Sequence, residues 1–516
     1  MSQIYLKFIL CFAGLLLGII NLQAQNVTIT PNGITPALSS TYPRLSYDAI
    51  LALPNPQKGD IAYDLTFECL RVYAANKWVC SYQDPQEVIP NVQVIAFGGG
   101  SGTDIGEAMV TDASGNIYVT GTYQNTASFG NIQKSSQGYN DIFLAKYNSS
   151  GQVQWVQSAG GTGDDYVQDI DIDASGNVYI TGYYENTATF GSSSIGVAGS
   201  STNIFVAKYN SDGSSLWVQS AGGIQSDYGM GIAVDANANV YITGYYAGSA
   251  TFGGFNRNSV SGSHDIYIVK YNSAGVAQWA QSIGGTNGES ANSIDTDANG
   301  NVYVTGSYSS TFTFGTTQLQ PAGGSDVFVA KYTSIGAFVW VKSGGGTTAD
   351  IGRNLKVDMA GNVYVTGFFT GTATFSPYSR PTAGGLDVFI TRYDTNGTVL
   401  WLRSVGGIGF ENSQGLRIDA SGNIYITGSF NNTTIFDNIS KISRGGEDIF
   451  ITKYDSSGEQ QWVKVLGGRD YDYGGDVAIN NNGVIYVTGY YSGIVTFGNT
   501  KSTAAGADMF LIRLDQ

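Results

Sequence analysis

The stretch Asp173-Ala-Ser-Gly-Asn-Val-Tyr-Ile-Thr-Gly182 decides the fold, because the chain carries it seven times. Copies begin at Asp112, Asp173, Asp235, Asp297, Asp358, Asp419 and, with asparagine leading, Asn480. Their closing glycines, Gly121, Gly182, Gly244, Gly306, Gly367, Gly428 and Gly489, lie 61 or 62 residues apart. Asp-x-x-Gly-Asn is turn chemistry, and the apolar, β-branched run behind it reads as a strand. A fixed period of this size means stacked supersecondary units.

Working outward, the next marker is tryptophan, at Trp155, Trp217, Trp279, Trp340, Trp401 and Trp462. Each is followed at +5 and +6 by Gly-Gly, at +10 by an acid and at +27 by the Thr-Gly glycine. Val94 holds the seventh equivalent position. Four strands per unit follow. Strand A ends at the turn aspartate and strand B is Asn-Val-Tyr-Val-Thr-Gly. Strand C is Asp-Ile-Phe-Leu-Ala-Lys-Tyr147 and its equivalents, and strand D carries the tryptophan. Four antiparallel strands repeated seven times predict an all-β, seven-bladed β-propeller. The chain stops at a strand C, Asp508 to Asp515, with no strand D after it, while 92–97 is an orphan strand D. The first strand is therefore expected to complete the last blade and close the ring, leaving no free edge.

The units resemble the SBBP β-propeller repeat family of bacterial exported proteins, over residues 91–516. Asp-x-x-Gly-Asn-Val-Tyr-Val-Thr-Gly and Asp-Ile-Phe-Val-Ala-Lys-Tyr carry the resemblance. It implies the propeller architecture and no particular chemistry. Asn480, Val484 and Val94 depart from the pattern near the expected seam.

The flanks read differently. Residues 1–24 resemble a secretory signal, with Lys7, the apolar run Phe8 to Ile20, then Leu22-Gln23-Ala24; the run is too short to span a bilayer. Residues 25–90 read as a proline-rich linker and a small N-terminal β module. There Cys69 and Cys80 flank a hairpin, either as a disulfide suited to an oxidising compartment or as two buried thiols. The expected location is extracellular or at the cell surface.

Candidate functional residues form two sets. One is the acid at +10: Asp104, Asp165, Asp227, Glu289, Asp350, Glu411 and Asp472. These would ring one mouth of the channel, either as a cation or polyhydroxyl site or as caps of their own Gly-Gly turns. The second set lies in the excursion between strands B and C, where all length variation among the copies falls. Its recurring phenylalanines, Phe129 to Phe497, read as anchors, and Tyr123, Tyr184, Arg257 and Tyr378 as ligand contacts. A further acid series opening strand C, Asp141 to Asp508 with Asn203 in the gap, reads as capping.

A net charge of −15 argues against nucleic-acid phosphate as partner. The lone histidine, His264, and the absence of cysteine from 91–516 leave no transition-metal cluster or nucleophile motif. The expectation is a monomeric, non-enzymatic binding or scaffolding module for an extracellular protein or glycan, with no cofactor and no membrane span. The alternatives are a carbohydrate-active lyase or hydrolase using acids at the channel mouth, and a calcium-dependent adhesin.

Overall fold

The computed structural model describes residues 90–196 and 201–515, and before them the backbone of six short strands between Val27 and Cys80. Two compact units result, 1–87 and 88–516. The expected signal segment lies outside the described residues. In the first unit Arg44–Leu45 runs parallel to Ile61–Asp64, which pairs antiparallel with Cys69–Ala74 and then Lys77–Cys80. Arg71 stands opposite Cys80 in this hairpin; the cysteine side chains lie outside the described residues.

The second unit is the seven-bladed propeller. In blade 1, strands A to D are Ile105–Thr111, Ile117–Tyr123, Asp141–Tyr147 and Val153–Gly161. In blade 7, strands A to C are Asp472–Ile479, Ile485–Phe497 and Thr500–Asp515, and strand D is the chain's own Asn91–Gly100. The closing ladder runs from Met509 opposite Gly98 to Asp515 opposite Asn91. Among the described residues no helix is long and apolar enough to cross a membrane.

In six blades the A–B turn is organised by its aspartate, and in blade 7 by Asn480. Asp173 Oδ1 accepts the Ser175 and Asn177 backbone N–H groups at 2.9 Å, and Oδ2 accepts the Asn177 amide at 2.8 Å and the Tyr179 hydroxyl at 2.9 Å. The carboxylate thereby replaces water for several donors at once, which accounts for the Asp-x-x-Gly-Asn-x-Tyr spelling. The same tyrosine lies under the strand-C cation. In six blades a lysine or arginine stands 4.9 to 5.3 Å from that ring.

Tryptophan joins neighbouring blades. The indole N–H of Trp155 donates to the Ser211 carbonyl in the next blade's C–D turn at 3.2 Å, and four further tryptophans repeat the bond. Gly213 in that turn has φ +84°, and a Cβ there would sit 2.8 Å from the Trp155 ring. Gly213→Ala is therefore expected to cost about 1–3 kcal/mol, through backbone strain and overpacking together. A fall in the urea midpoint at unchanged m-value would register it.

The B–C excursion is a two-stranded hairpin rather than an irregular loop. Thr187–Phe190 pairs with Ser193–Gly196 and also with the Gly-Gly end of the preceding blade's strand D, Ala159 opposite Phe190 and Gly161 opposite Ala188. Ladders of this kind join blades at four junctions. The excursion phenylalanines are buried anchors as expected. Each packs on the strand-C aromatic of its own blade, centroids 4.6 to 5.3 Å apart.

Candidate functional site

The seven acids at +10 sit at the blade junctions and are buried, none more than 1% exposed. Asp165 accepts the Gly161 N–H at 2.7 Å and the Glu185 N–H at 3.4 Å. Asp104, Asp227, Glu289, Asp350 and Asp472 accept the equivalent glycine N–H at 2.6 to 2.9 Å. Glu289 and Glu411, one carbon longer, also take Ser310 and Thr434 hydroxyls. Of the two readings the sequence left open, the geometry is that of the cap: these carboxyls are enclosed by protein rather than presented at an open mouth.

Six of the seven caps have a second carboxyl beside them. A Cβ on Gly160 would meet both Asp165 Oδ2 and Asp141 Cγ at 2.8 Å, so the two acids flank one glycine. The strand-C acid thus belongs to the same enclosed pair. Asp326 with Asp350 repeats the arrangement around Gly345. One oxygen of each of Asp326, Asp350, Asp387, Glu411, Asp448, Asp472 and Asp508 has no hydrogen-bond partner. Burial pushes Asp165 up to about 7, and the neighbouring Asp141 charge adds to the rise. At the blade 2–3 junction Asn203 replaces the second acid, and Asp227, also pushed to about 7, has burial alone as its cause. Among the described residues no three His, Cys, Asp or Glu side chains converge on a metal position.

The excursion residues divide. Tyr123 and Tyr184, expected as surface contacts, are fully buried, and their hydroxyls bond to Ser158 and Ser220 at 2.6 and 2.7 Å. The strand-B register turns both rings into the blade packing, a consequence of strand B running further than the Thr-Gly signature suggested. Arg257 donates to the Ala280 carbonyl and Tyr378 to the Leu400 carbonyl at 2.8 Å, so both tie the hairpin to strand D of its own blade. His264 is exposed and lies 5.2 Å from the Tyr245 ring.

The open chemistry is in the channel. Every strand A carries a β-bulge, recorded as a register shift at Gly106/Ala108 in blade 1 and at the equivalent place in the other six. The bulged residues are Glu107, Gln168, Met230, Asn292, Arg353, Gln414 and Gly475, and all seven line one cavity of about 330 Å³. A bulge re-aims a side chain, here toward the axis. Around the same mouth stand cross-strand tyrosine pairs, Tyr166 with Tyr183, Tyr228 with Tyr245, and Tyr473 with Tyr490, centroids 4.7 to 5.1 Å apart. Burial pushes the Glu107 carboxyl up to about 7 against the pull of Arg353. The Arg353 guanidinium lies 5.8 Å from the Phe368 ring centre, and its Nε has no hydrogen-bond partner.

Deeper in, the charged groups hold the innermost strands together. Asp169 and Asp171 accept the Ile232 and Val234 N–H groups of the next blade at 2.9 and 2.7 Å, and Asp476 pairs with Arg417 at 2.8 Å. The sequence reading passed over the channel residues. Their signal was available: the position 13 after the tryptophan takes six different residue types in seven copies of an otherwise repetitive unit.

Fold and cavity together define a seven-bladed β-propeller with a channel lining that differs from blade to blade. No protein-family model matches the chain. It is 24% identical over 469 residues to the uncharacterized WD repeat-containing protein L264 of Acanthamoeba polyphaga mimivirus, covering 74% of this chain and 33% of that protein. It is 25% identical over 454 residues to the regulatory protein FlaEY of Caulobacter vibrioides, covering 78% of this chain and 45% of that one. The chain thus spans a third to under half the length of these curated relatives. Among solved structures, the Neurospora crassa Pan2 WD40 domain is similar with a TM-score of 0.40 at 7% identity, covering 80% of this chain and 89% of that one. A polysaccharide lyase of the ulvan lyase family PL25 is similar with a TM-score of 0.39 at 12% identity, covering 80% and 95%.

Proposed function

We propose that the protein is an exported propeller of the SBBP repeat type that binds an extracellular protein or glycan as a monomeric, non-enzymatic module. The observation that carries this reading is the placement of variation. The blade packing repeats almost residue for residue, whereas the D–A loops and the channel lining do not. On the D–A loops large apolar side chains stand in solvent: Ile224 is 80% exposed, Ile408 74%, Phe410 61% and Tyr471 57%. Tyr139, at the end of a B–C excursion that touches a D–A loop through Gly138, is 79% exposed. Apolar side chains exposed on the variable loops around a cavity are surface that a partner can cover. The leader-like segment with Lys7 and Phe8 to Ile20 supports export, and the resemblance of a WD-repeat protein over 74% of the chain is consistent with a binding role.

The test is an array of extracellular proteins and glycans probed with the wild type and an Ile408→Ser/Phe410→Ser double variant. Binding by the wild type is expected to weaken at least tenfold in the variant at a nearly unchanged melting temperature, since both residues stand mostly in solvent. Cleavage of an arrayed polysaccharide would replace this reading with an enzymatic one.

A further inference from the structure

We propose that the channel mouth is a binding site for a single sugar residue bearing a carboxylate, held through Arg353 with its hydroxyls on Glu107, Gln168 and Gln414. This rests on the reading of the propeller as a binding module and names the ligand chemistry of its cavity.

Three features converge. The first is a cation that faces Glu107 across the cavity without a close ion pair among the described residues. Arg353 projects from the strand-A bulge of blade 5 into the cavity, and its buried Nε lacks a partner. A guanidinium removed from water is costly unless a planar anion meets its fork of donors. A carboxylate meets it with two parallel bonds. Phosphate is the poorer fit, because Glu107 lines the same cavity and a second negative charge would face it.

The second feature is the set of groups around that cation. The Gln168 and Gln414 amides enter no side-chain hydrogen bond among the described residues. Each offers both a donor and an acceptor, which suits hydroxyl groups better than a second fixed charge. Asn292, by contrast, is already committed to the Gly352 carbonyl at 2.7 Å. The third feature is size and wall. About 330 Å³ lies at the small end of ligand pockets, with room for one ring and not for a peptide segment. Tyr473 and Tyr490 supply flat apolar surface at its rim for the C–H face of such a ring.

The experiment is calorimetric titration of the whole protein with glucuronate, galacturonate, an oligosaccharide ending in either, glucose, and glycine as a zwitterion. Uronates, free or terminal, are expected to bind at least tenfold more tightly than glucose. Arg353→Gln should bring them down to the glucose level. Gln414→Leu, which leaves the guanidinium in place, should weaken the uronates while the melting temperature holds, and so covers the case in which the arginine variant fails to fold. Equal affinity for glucose and glucuronate, indifference to Arg353→Gln in a folded variant, or binding of glycine in place of the uronates would overturn the proposal. So would no binding by any of these ligands. If the Ile408/Phe410 face still captured its partner, the binding-module reading would stand without this site. Cleavage of the oligosaccharide would instead remove the binding-module reading itself.

Discussion

A chain lacking residues 91–100 is expected not to form a cooperative propeller at all. This segment is strand D of blade 7 and holds the ring shut along Gly98 to Asn91, opposite Met509 to Asp515. Val92, Val94 and Phe97 pack into the core of the last blade, and Ile95 and Ala96 into that of the first. Phe97 lies 5.3 Å from the Tyr491 ring and 6.2 Å from the Phe497 ring. Full burial of a large apolar side chain is worth about 1.5–3 kcal/mol, and these half-buried ones contribute about half of that each, while each ladder hydrogen bond adds about 1 kcal/mol net. Their sum approaches the whole stability of an ordinary domain, about 5–15 kcal/mol. The deletion also bares strand Thr500–Asp515 as an unpaired edge, an aggregation hazard. Circular dichroism melting and light scattering would read the result. A sharp transition within a few degrees of the parent would show that the seam does not hold the ring.

The second large effect concerns pH. The carboxyls at the junctions are raised chiefly by burial. Asp165, Asp227, Asp350 and Glu411 stand at about 7, and Asp104 and Asp472 at about 6, against ordinary values of 3.8 and 4.5. The folded ring therefore keeps protons that the unfolded chain releases. The stability these groups contribute is complete below about pH 4 and is lost as pH rises through 6 to 7. Glu107 and Asp169 in the channel act in the same direction. The turn aspartates Asp173 and Asp419 oppose them, being lowered by their hydrogen bonds, so their contribution is lost only as pH falls below the ordinary carboxylate range. Stability is expected to peak near pH 4–5 and to fall toward pH 8. Even about 1 kcal/mol from each of six groups would be a large fraction of the total, so the melting temperature should drop by about 5–10 °C across that interval. Asp141→Asn places at one junction the residue that blade 2 already has as Asn203. It should raise stability at pH 8 and change little at pH 4.5. A melting temperature that climbs steadily from pH 4.5 to 8 would refute the paired-carboxyl account.

The architecture was legible because it is written in period and turn chemistry, which act locally. Asp173 caps its own turn, and the orphan strand near Val94 matches the vacancy after Asp515. The functional surface was less legible for a physical reason. A capping carboxylate and a ligand-binding carboxylate use the same residue at the same spacing, and only the burial of Asp165 and its fellows separates them. Tyr123 and Tyr184 misled because strand B runs two or more residues past Thr-Gly, which keeps the rings in the blade. The hairpin excursions pair with the preceding blade, a contact between units that no spacing within one unit encodes. Arg353 and Glu107 escaped notice because a bulge, invisible in an apolar pattern, turns them toward the axis.

The closing seam has a mechanical corollary. Asn91 and Asp515 are antiparallel neighbours at the same end of one ladder. Tension applied through these two points would peel the rungs apart singly, as a zipper opens, and would not load them together in shear. A ring of this build yields at low force when stretched between its ends. It would resist far more when held at one end and pulled on by whatever sits on its face, so the anchoring point, and not the number of blades, sets the load it can bear.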